Sequence, residues 1–318
     1  MQRVLMTGAC GFLGTNFLSY CKKNVDRNDL NIIPLTSKNI EGYRCVLYDD
    51  AASGSNQRTF SAESFKNAKI PGIDVVLLMG AYVEHGEKER IVYNHISSIN
   101  NIVYLLEHLP NVPKKIVFIS SVAVYGFTQD GIYTKGEMPV VTEETPVNPK
   151  RTYALSKVIC ERYVEEWAKE HNCQSVILRL GSMYGKERRF YNFLGTCVSC
   201  AKNKATMDMF APLEKTWNFV YVDDVSKWII NAIKSDNLAS PINLCSSHLC
   251  KTQEVLDIVS EVYPDFSYKI NSNHVQTGQD RLFDSTVREK YLGKEDFDLK
   301  SGLMRIVSED VGEGDKNA

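Results

Sequence analysis

The chain has 318 residues, 43% of them apolar and 24% charged, with a formal net charge of −2. That balance suits a globular enzyme and gives no electrostatic case for nucleic acid or an anionic membrane surface as partner. No apolar run reaches the roughly 20 residues a membrane helix needs. No signal peptide precedes the first strand, and nine scattered cysteines form no secreted-type framework, so a reducing cytoplasm is expected.

The first predicted element is a buried strand, Arg3-Val4-Leu5-Met6. TGACGFLG follows at once (residues 7–14), with glycines at 8, 11 and 14. Phe12, Leu13, Phe17 and Leu18 then recur at helical spacing. A turn between a strand and a helix aims the helix N-terminus, with its exposed N–H groups and dipole, at whatever lies there, and a pyrophosphate suits it. A glycine-rich turn that holds no ligand has the same local pattern. Further strands are predicted over residues 31–35, 45–48 (ending in Asp49-Asp50), 74–80, 115–121 and 175–180. Long helices are predicted over 91–109 and 153–170. Strands that alternate with helices in this way make a doubly wound parallel α/β sheet. The last stretch, 308–318, is rich in Glu, Asp, Gly and Lys and is expected to be disordered.

Two places carry chemistry. The fifth strand ends in Ser120-Ser121, at the strand end where open sheets of this kind bind ligands. Further on, Tyr153 and Lys157 stand four apart on a helix and so share a face. An ammonium beside a phenol stabilises the phenolate and lowers its pKa from about 10 toward neutrality. Such a tyrosine can pass a proton to or from an alcohol oxygen, with a serine hydroxyl holding the same oxygen. A plain amphipathic helix would also place Tyr and Lys four apart.

In order, TGACGFLG, SSVAVYG, YALSK, LRLGSMYG and NFVYVDDV resemble the extended short-chain dehydrogenase/reductase family, which modifies nucleotide sugars as epimerases, dehydratases and 4-ketoreductases. The resemblance covers about residues 3–225 and, more weakly, 281–293. It implies a Rossmann sheet with a smaller C-terminal substrate-binding domain. The cofactor domain would take residues 1–180 plus about 219–245, and the substrate domain 181–218 and 246–307. It implies Ser121, Tyr153 and Lys157 as the catalytic triad. Gly8, Gly11, Phe12, Leu13 and Gly14 would line the pyrophosphate, Asp49 and Asp50 the adenine, and Gly80 and Ala81 the cofactor ribose. Tyr153 and Lys157 would also meet the cofactor, Lys157 at the nicotinamide ribose. It also implies a homodimer, paired through the two long helices. Ile96, Ile99, Val103 and Leu106 on one, and Leu155, Ile159, Tyr163 and Trp167 on the other, are more apolar residues than one buried stripe needs.

Departures narrow the function. The 4,6-dehydratases carry an Asp-Glu pair directly after the catalytic Ser/Thr, where this chain has Val122 and Ala123. The cysteine and histidine of the fucose-synthase type are missing too. What remains is redox at a carbinol: net reduction of a 4-keto nucleotide sugar, or transient oxidation in a 4-epimerase. A reductase of a non-nucleotide carbonyl and a non-catalytic, dinucleotide-binding regulatory relative are further alternatives. At the end of the second strand Thr36, Ser37 and Lys38 stand where an NAD enzyme usually places a carboxylate, so NADP(H) is expected over NAD(H). On the substrate side Ser182 stands where relatives carry an asparagine, and Trp217-Asn218 where they carry an arginine. Tyr82 is expected to face the sugar and Trp217 to stack on a base or pack. Arg281 is expected to hold a diphosphate or to pair with Asp284. Cys197 and Cys200 have zinc spacing without a second ligand pair, so no metal is expected. His95 is expected either to touch the cofactor or to pack, and His85 flanks the same helix.

Overall fold

The computed structural model describes residues 1–49, 59–81, 88–126, 138–186, 193–209, 212–271 and 280–314. The chain divides into two compact units. The first comprises Met1–Gly126, Pro146–Arg179 and Ile229–Ile242; the second comprises Phe127–Thr145, Leu180–Trp228 and Asn243–Ala318.

In chain order the elements of the first unit begin with β1 (Gln2–Met6), α1 (Phe12–Asn24), β2 (Leu30–Thr36), β3 (Val46–Leu47), α2 (Ala62–Asn67), β4 (Val75–Leu78), α3 (Lys88–Glu107) and β5 (Lys115–Ser121). A short 3-10 turn, Val122–Tyr125, continues β5. β6 (Val140–Val141) belongs to the second unit, and α4 (Thr152–Glu170) and β7 (Gln174–Leu180) follow. After β8 (Ser182–Tyr184), α5 (Phe193–Lys202), β9 (Thr206–Met209), β10 (Thr216–Trp217) and β11 (Phe219–Tyr221), helix α6 (Val222–Lys234) leads into β12 (Ile242–Leu244).

One seven-stranded sheet runs in the order β12-β7-β5-β4-β1-β2-β3. β1 pairs in parallel with both β2 and β4, with Val4 opposite Ile32 on one side and Val75 on the other. β2 on β3 and β4 on β5 are parallel as well. β1, β2 and β4 are buried on both faces, which is why VLM, IIPL and VVLL read as unbroken apolar runs. Successive strands step outward from β1 to β3, then the chain returns to the other side of β1 with β4. The strand order therefore reverses between β1 and β4, and the C-terminal ends of those two strands open a crevice. Leu5, Ile33, Val76, Ile116, Phe118 and Trp167 are among the core residues beneath it.

The second unit closes with β13 (Cys250–Lys251), α7 (Thr252–Val262), β14 (Ser267–Ile270), β15 (Leu282–Phe283), α8 (Thr286–Leu292) and α9 (Leu299–Gly314). Its strands pair two by two: β8 with β11, β9 with β14, β10 with β13 and β6 with β15. Tyr184, Leu194, Tyr221, Val255 and Leu303 are among the side chains of its core.

Two boundaries differ from the sequence expectation. The return to the first unit is narrower than 219–245, because β11 pairs in register with β8 rather than with the large sheet. Residues 127–145 leave the first unit, and within them β6 pairs with β15. The tail expected to be disordered from residue 308 is helical as far as Gly314. Leu299, Leu303 and Ile306 anchor that helix at helical spacing, so the polar stretch continues from a buried stripe.

Candidate active site

The glycine turn sits at the sheet's switch point, and its geometry accounts for its residues. Gly8 has φ +74°, and a Cβ there would lie 2.7 Å from the main-chain nitrogen of Gly80. The turn at the end of β1 is therefore pressed against the end of β4. A Cβ on Gly14 would fall 2.1 Å from the carbonyl oxygen of Gly8, so the helix can sit this close to the turn only with glycine there. Gly11 is the N-cap of α1, and its N–H donates to Gly8 O at 3.0 Å. Thr7 completes the clamp. Its hydroxyl accepts from the N–H groups of Met79 and Gly80 at 3.1 and 3.0 Å, and its own N–H donates to Leu77 O.

These elements border a cleft of about 340 Å³. Thr7, Gly8, Ala9, Cys10 and Gly11 form one wall. Leu35, Thr36 and Ser37 at the end of β2 and Gly80 and Ala81 after β4 border it as well. Tyr48, Phe60, Ile102 and Leu105 supply apolar surface, and Asn94, Ser97, Ser98 and Asn101 supply a polar stripe from α3. The shape and the donors fit a dinucleotide: a helix N-terminus with no acidic residue in its first turn, close backbone, and an apolar slot beside it.

Not every expected residue faces this cleft. Leu13 is buried in the core and Gly14 packs on the turn, while Phe12 is half-buried. Asp49 is turned to α2, where its carboxylate accepts from Ser64 at 2.5 Å, and its neighbour Tyr48 lines the cleft instead. Thr36 is buried, with its hydroxyl 3.4 Å from the thiol of Cys10. Ser37 lines the cleft but exposed Lys38 does not. Asp50, Tyr82 and His85 lie outside the described residues.

The candidate triad lies on β5 and α4. Ser121 ends β5 and caps the 3-10 turn, where its hydroxyl accepts from the N–H of Ala123 at 3.2 Å. Tyr153 and Lys157 lie on one face of α4, with the Lys157 ammonium 5.9 Å from the Tyr153 ring centroid. Lys157 is buried, donates to the carbonyl of Ile119 at 2.7 Å and lies 4.8 Å from the centre of the Phe118 ring. Burial pushes its pKa down to about 8 against the opposing pull of Cys160 and Glu161. The His95 ring lies 5.8 Å from that of Tyr153, centre to centre, and is buried beside it.

What holds α4 in place is a buried polar network that sequence reasoning missed. Arg179 on β7 grips Glu161 with two N–H groups, at 3.1 and 2.8 Å, and donates to the Tyr125 hydroxyl at 3.0 Å. Ser120 donates to the same carboxylate. Burial alone would lower the Arg179 pKa, but Glu161 and Tyr125 outweigh it and hold it above its ordinary value. The network ties α4 to β5 and β7 one turn beyond Lys157.

In the second unit Ser182 is exposed on β8. Trp217 is stacked on Phe193 (centroids 4.7 Å apart) and on Phe219 (5.8 Å), and its Nε1 donates to Thr252 at 2.9 Å. Those contacts make it a packed residue rather than an open platform for a base. Arg281 is half-buried, and burial lowers its pKa. Asp284 accepts from the N–H of Thr286 at 2.7 Å. Cys197 is buried with its thiol 3.5 Å from Met207 Sδ. No cluster of three or more His, Cys, Asp or Glu side chains suited to a metal occurs among the described residues. None of the described helices is long and apolar enough to cross a membrane.

A doubly wound sheet with a glycine turn at its switch point defines a dinucleotide-binding class of protein. Residues 4–245 match the NAD dependent epimerase/dehydratase family, and the chain belongs to that family. It is 24% identical to a putative UDP-glucose 4-epimerase of Methanocaldococcus jannaschii, covering 96% of this chain and 97% of that one. It is also 24% identical to a dTDP-4-dehydro-6-deoxyglucose reductase of Escherichia coli, over 88% and 85% of the two chains. Among solved structures, a UDP-glucuronic acid 4-epimerase from Bacillus cereus in complex with NAD has the same fold. Its TM-score is 0.73 at 17% identity, covering 97% of this chain and 99% of that one.

Proposed function

We propose that this protein is an NAD-dependent 4-epimerase of a nucleotide sugar. The observation that carries the reading is the order of groups where β5 meets α4. Ser121 is followed by Val122 and Ala123, and Tyr153 and Lys157 lie on the helix packed against the same strand. Val122 and Ala123 cannot move protons, so the usual acid–base pair for loss of water is missing, while the groups for redox at a carbinol are present. When bound in the cleft, NAD supplies a reversible hydride acceptor. Tyr153 takes the proton of the sugar hydroxyl and returns it, Ser121 fixes that oxygen, and the Lys157 ammonium stabilises the phenolate. Likeness over nearly the whole chain to a putative UDP-glucose 4-epimerase supports this assignment.

The cofactor reading shifts from the sequence expectation. The sequence expectation of NADP(H) rests on the hydroxyls of Thr36 and Ser37 and the ammonium of Lys38. Thr36 is buried and exposed Lys38 does not line the cleft, so this part of the site gives less support to a 2′-phosphate than the residue types alone suggested. A second reading, NADPH-dependent reduction of a 4-keto nucleotide sugar, keeps one observation in its favour. Thr36 ends β2 and Ser37 follows it, and among the described residues that line the cleft there is no carboxylate to hold the ribose hydroxyls of NAD.

The test is to incubate the protein with NAD and, separately, UDP-glucose, UDP-N-acetylglucosamine and UDP-glucuronic acid, and to follow the sugar by NMR. Inversion at C4 with no net reduction of NAD is the expected result. Oxidation of NADPH by a 4-keto nucleotide sugar, with no inversion in the first experiment, would replace this reading by the second.

A further inference from the structure

The first unit has a second cavity, at the other end of β2 from the cofactor cleft. β3 pairs with β2 through Leu35 and Thr36, at the C-terminal end of β2. Beside the start of β2 the chain that follows it comes to lie against α1 instead, where the Tyr43 hydroxyl donates to the carbonyl of Leu18 at 2.7 Å. Between the last turn of α1, the first residues of β2 and residues 42–44 lies a cavity of about 320 Å³. Cys21, Val25, Leu30 and Ile32 give it an apolar floor. Its size falls within the roughly 300–1,000 Å³ of small-molecule sites.

The rim of this cavity is cationic. Lys22, Arg27 and Arg44 line it, and among the described residues no aspartate or glutamate does. The guanidinium carbon of Arg27 lies 5.7 Å from the centre of the Tyr43 ring, and its Nη2 is 3.7 Å from where a Cβ on Gly42 would stand. Arg44 donates to the carbonyl of Lys69 at 3.2 Å. The acids of the same stretch are turned elsewhere. Asp26 accepts from the N–H of Asn28 at 2.8 Å, Asp29 faces the Lys234 ammonium at 3.3 Å, and Glu41 does not line the cavity. Burial pushes the Cys21 thiol up to about 12 and raises the Tyr43 phenol as well, so neither brings a negative charge at neutral pH. The end of α1 carries a partial negative charge, which Lys22 and Lys23 in its last turn offset.

We propose that this cavity is a second ligand site, taking a phosphate-bearing small molecule of about nucleotide size. Its phosphates meet Arg27, Arg44 and Lys22, and its uncharged part covers the apolar floor. Three cations around one cavity favour an anion with more than one charge, and two guanidinium forks suit phosphate oxygens. A bare anion would leave the floor wet, so the ligand with an apolar or aromatic body is the better fit.

Isothermal titration of the protein carrying one equivalent of NAD, with ADP, pyrophosphate and adenosine in turn, tests this. ADP should bind, pyrophosphate should bind more weakly, and adenosine should not bind measurably. Arg27→Gln combined with Arg44→Gln should weaken ADP by about 10- to 100-fold and leave NAD affinity within about twofold. Added salt should weaken ADP binding to the wild type as well. If the double variant does not fold, Lys22→Gln and Arg27→Gln singly should each show part of the same loss. A wild type that binds neither ADP nor pyrophosphate overturns the site. So do folded variants that hold ADP as tightly as the wild type, because the nucleotide then sits elsewhere. Adenosine bound as tightly as ADP would leave the cations without a role, and pyrophosphate bound as tightly as ADP would leave the floor without one; either overturns the proposed ligand. Each of these failures leaves the reading of Ser121, Tyr153 and Lys157 untouched, since none of the three lines this cavity.

Discussion

Lys157 donates its ammonium proton to the main-chain carbonyl of Ile119 across 2.7 Å, wholly inside the first unit. A lysine so placed costs stability. Its pKa falls from 10.5 to about 8 on burial, so the folded state holds the proton less tightly than the unfolded chain. The penalty is therefore absent above the unfolded value of 10.5, grows as pH falls below it, and is complete once pH has fallen through about 8. At neutral pH the cost is on the order of 3 kcal/mol, less about 1 kcal/mol for the hydrogen bond. Lys157→Met should melt higher than the wild type at pH 7, with the gain shrinking above pH 9, and should be inactive. Equal melting temperatures at pH 7 would mean that the ammonium is better solvated than its burial implies.

The Glu161–Arg179 pair is the opposite case: two charges that need each other. Arg179→Met leaves a buried carboxylate with Ser120 as its one remaining donor among the described residues and should cost about 3–5 kcal/mol in urea unfolding. Combining it with Glu161→Leu should recover much of that loss, because no unpaired charge remains. If the two single changes simply add in the double variant, the pair is not coupled.

Part of this architecture was legible in the sequence and part was not, for a physical reason. Runs such as KIVFISS and the periodicity of α4 are local, so Lys115–Ser121 was placed to the residue and the start of α4 within one. The glycine turn was legible because Gly8 and Gly14 answer steric demands only glycine meets. Thr7, Glu161 and Arg179 act through partners 18 to 73 positions away, and nothing in their own neighbourhood marks them. The stripe Asn94, Ser97, Ser98 and Asn101 on α3 could have been found, since four polar residues recur there at helical spacing. Trp217 shows the limit of reading a surface from composition, because only its neighbours Phe193 and Thr252 reveal that it packs.

Gly8→Ala tests the turn itself. The positive φ and the 2.7 Å approach to Gly80 leave no room for a methyl group, and backbone cannot yield as a flexible side chain can. The variant should lose at least about 2 kcal/mol of stability and bind NAD at least tenfold more weakly by fluorescence titration. Retention of wild-type NAD affinity would separate the turn from the cofactor site.

Assembly into a homodimer remains a proposal of this reading, and the exposed faces of α3 and α4 make it specific. Of the eight apolar residues that suggested it, Leu106 and Trp167 are buried, while Ile96, Leu155 and Ile159 are 43–50% exposed. Val92 and Tyr93 join them on α3. Tyr163 of α4 donates to Glu107 of α3 at 2.6 Å, so these helices lie side by side and their exposed residues can form one patch. Light scattering at micromolar concentration should give twice the chain mass, and Ile96→Glu with Ile159→Glu should give a folded monomer. A monomeric wild type would end this proposal.

The assignment of the proton to Tyr153 makes the sharpest demand. Tyr153→Phe removes one oxygen from a ring flanked by His95 and by the Lys157 ammonium, and leaves the fold of α4 untouched. General acid–base groups are typically worth about 10²–10⁴-fold, so turnover should fall by that factor while NAD binds as before. The substrate KM should change little, because the phenol acts mainly as the hydroxyl proton leaves or returns. Lys157 couples to the same step. Its ammonium, lowered to about 8 by burial, stabilises the phenolate only while it is protonated, so the wild-type rate should fall as pH rises through that value. Tyr153→Phe should flatten this alkaline limb, since no phenolate is left to stabilise, whereas a variant that merely disturbed the packing would keep it at a lower rate. A phenylalanine variant that turns over its sugar within tenfold of the wild type, with the limb intact, would transfer the proton to another group and remove Tyr153 from the mechanism.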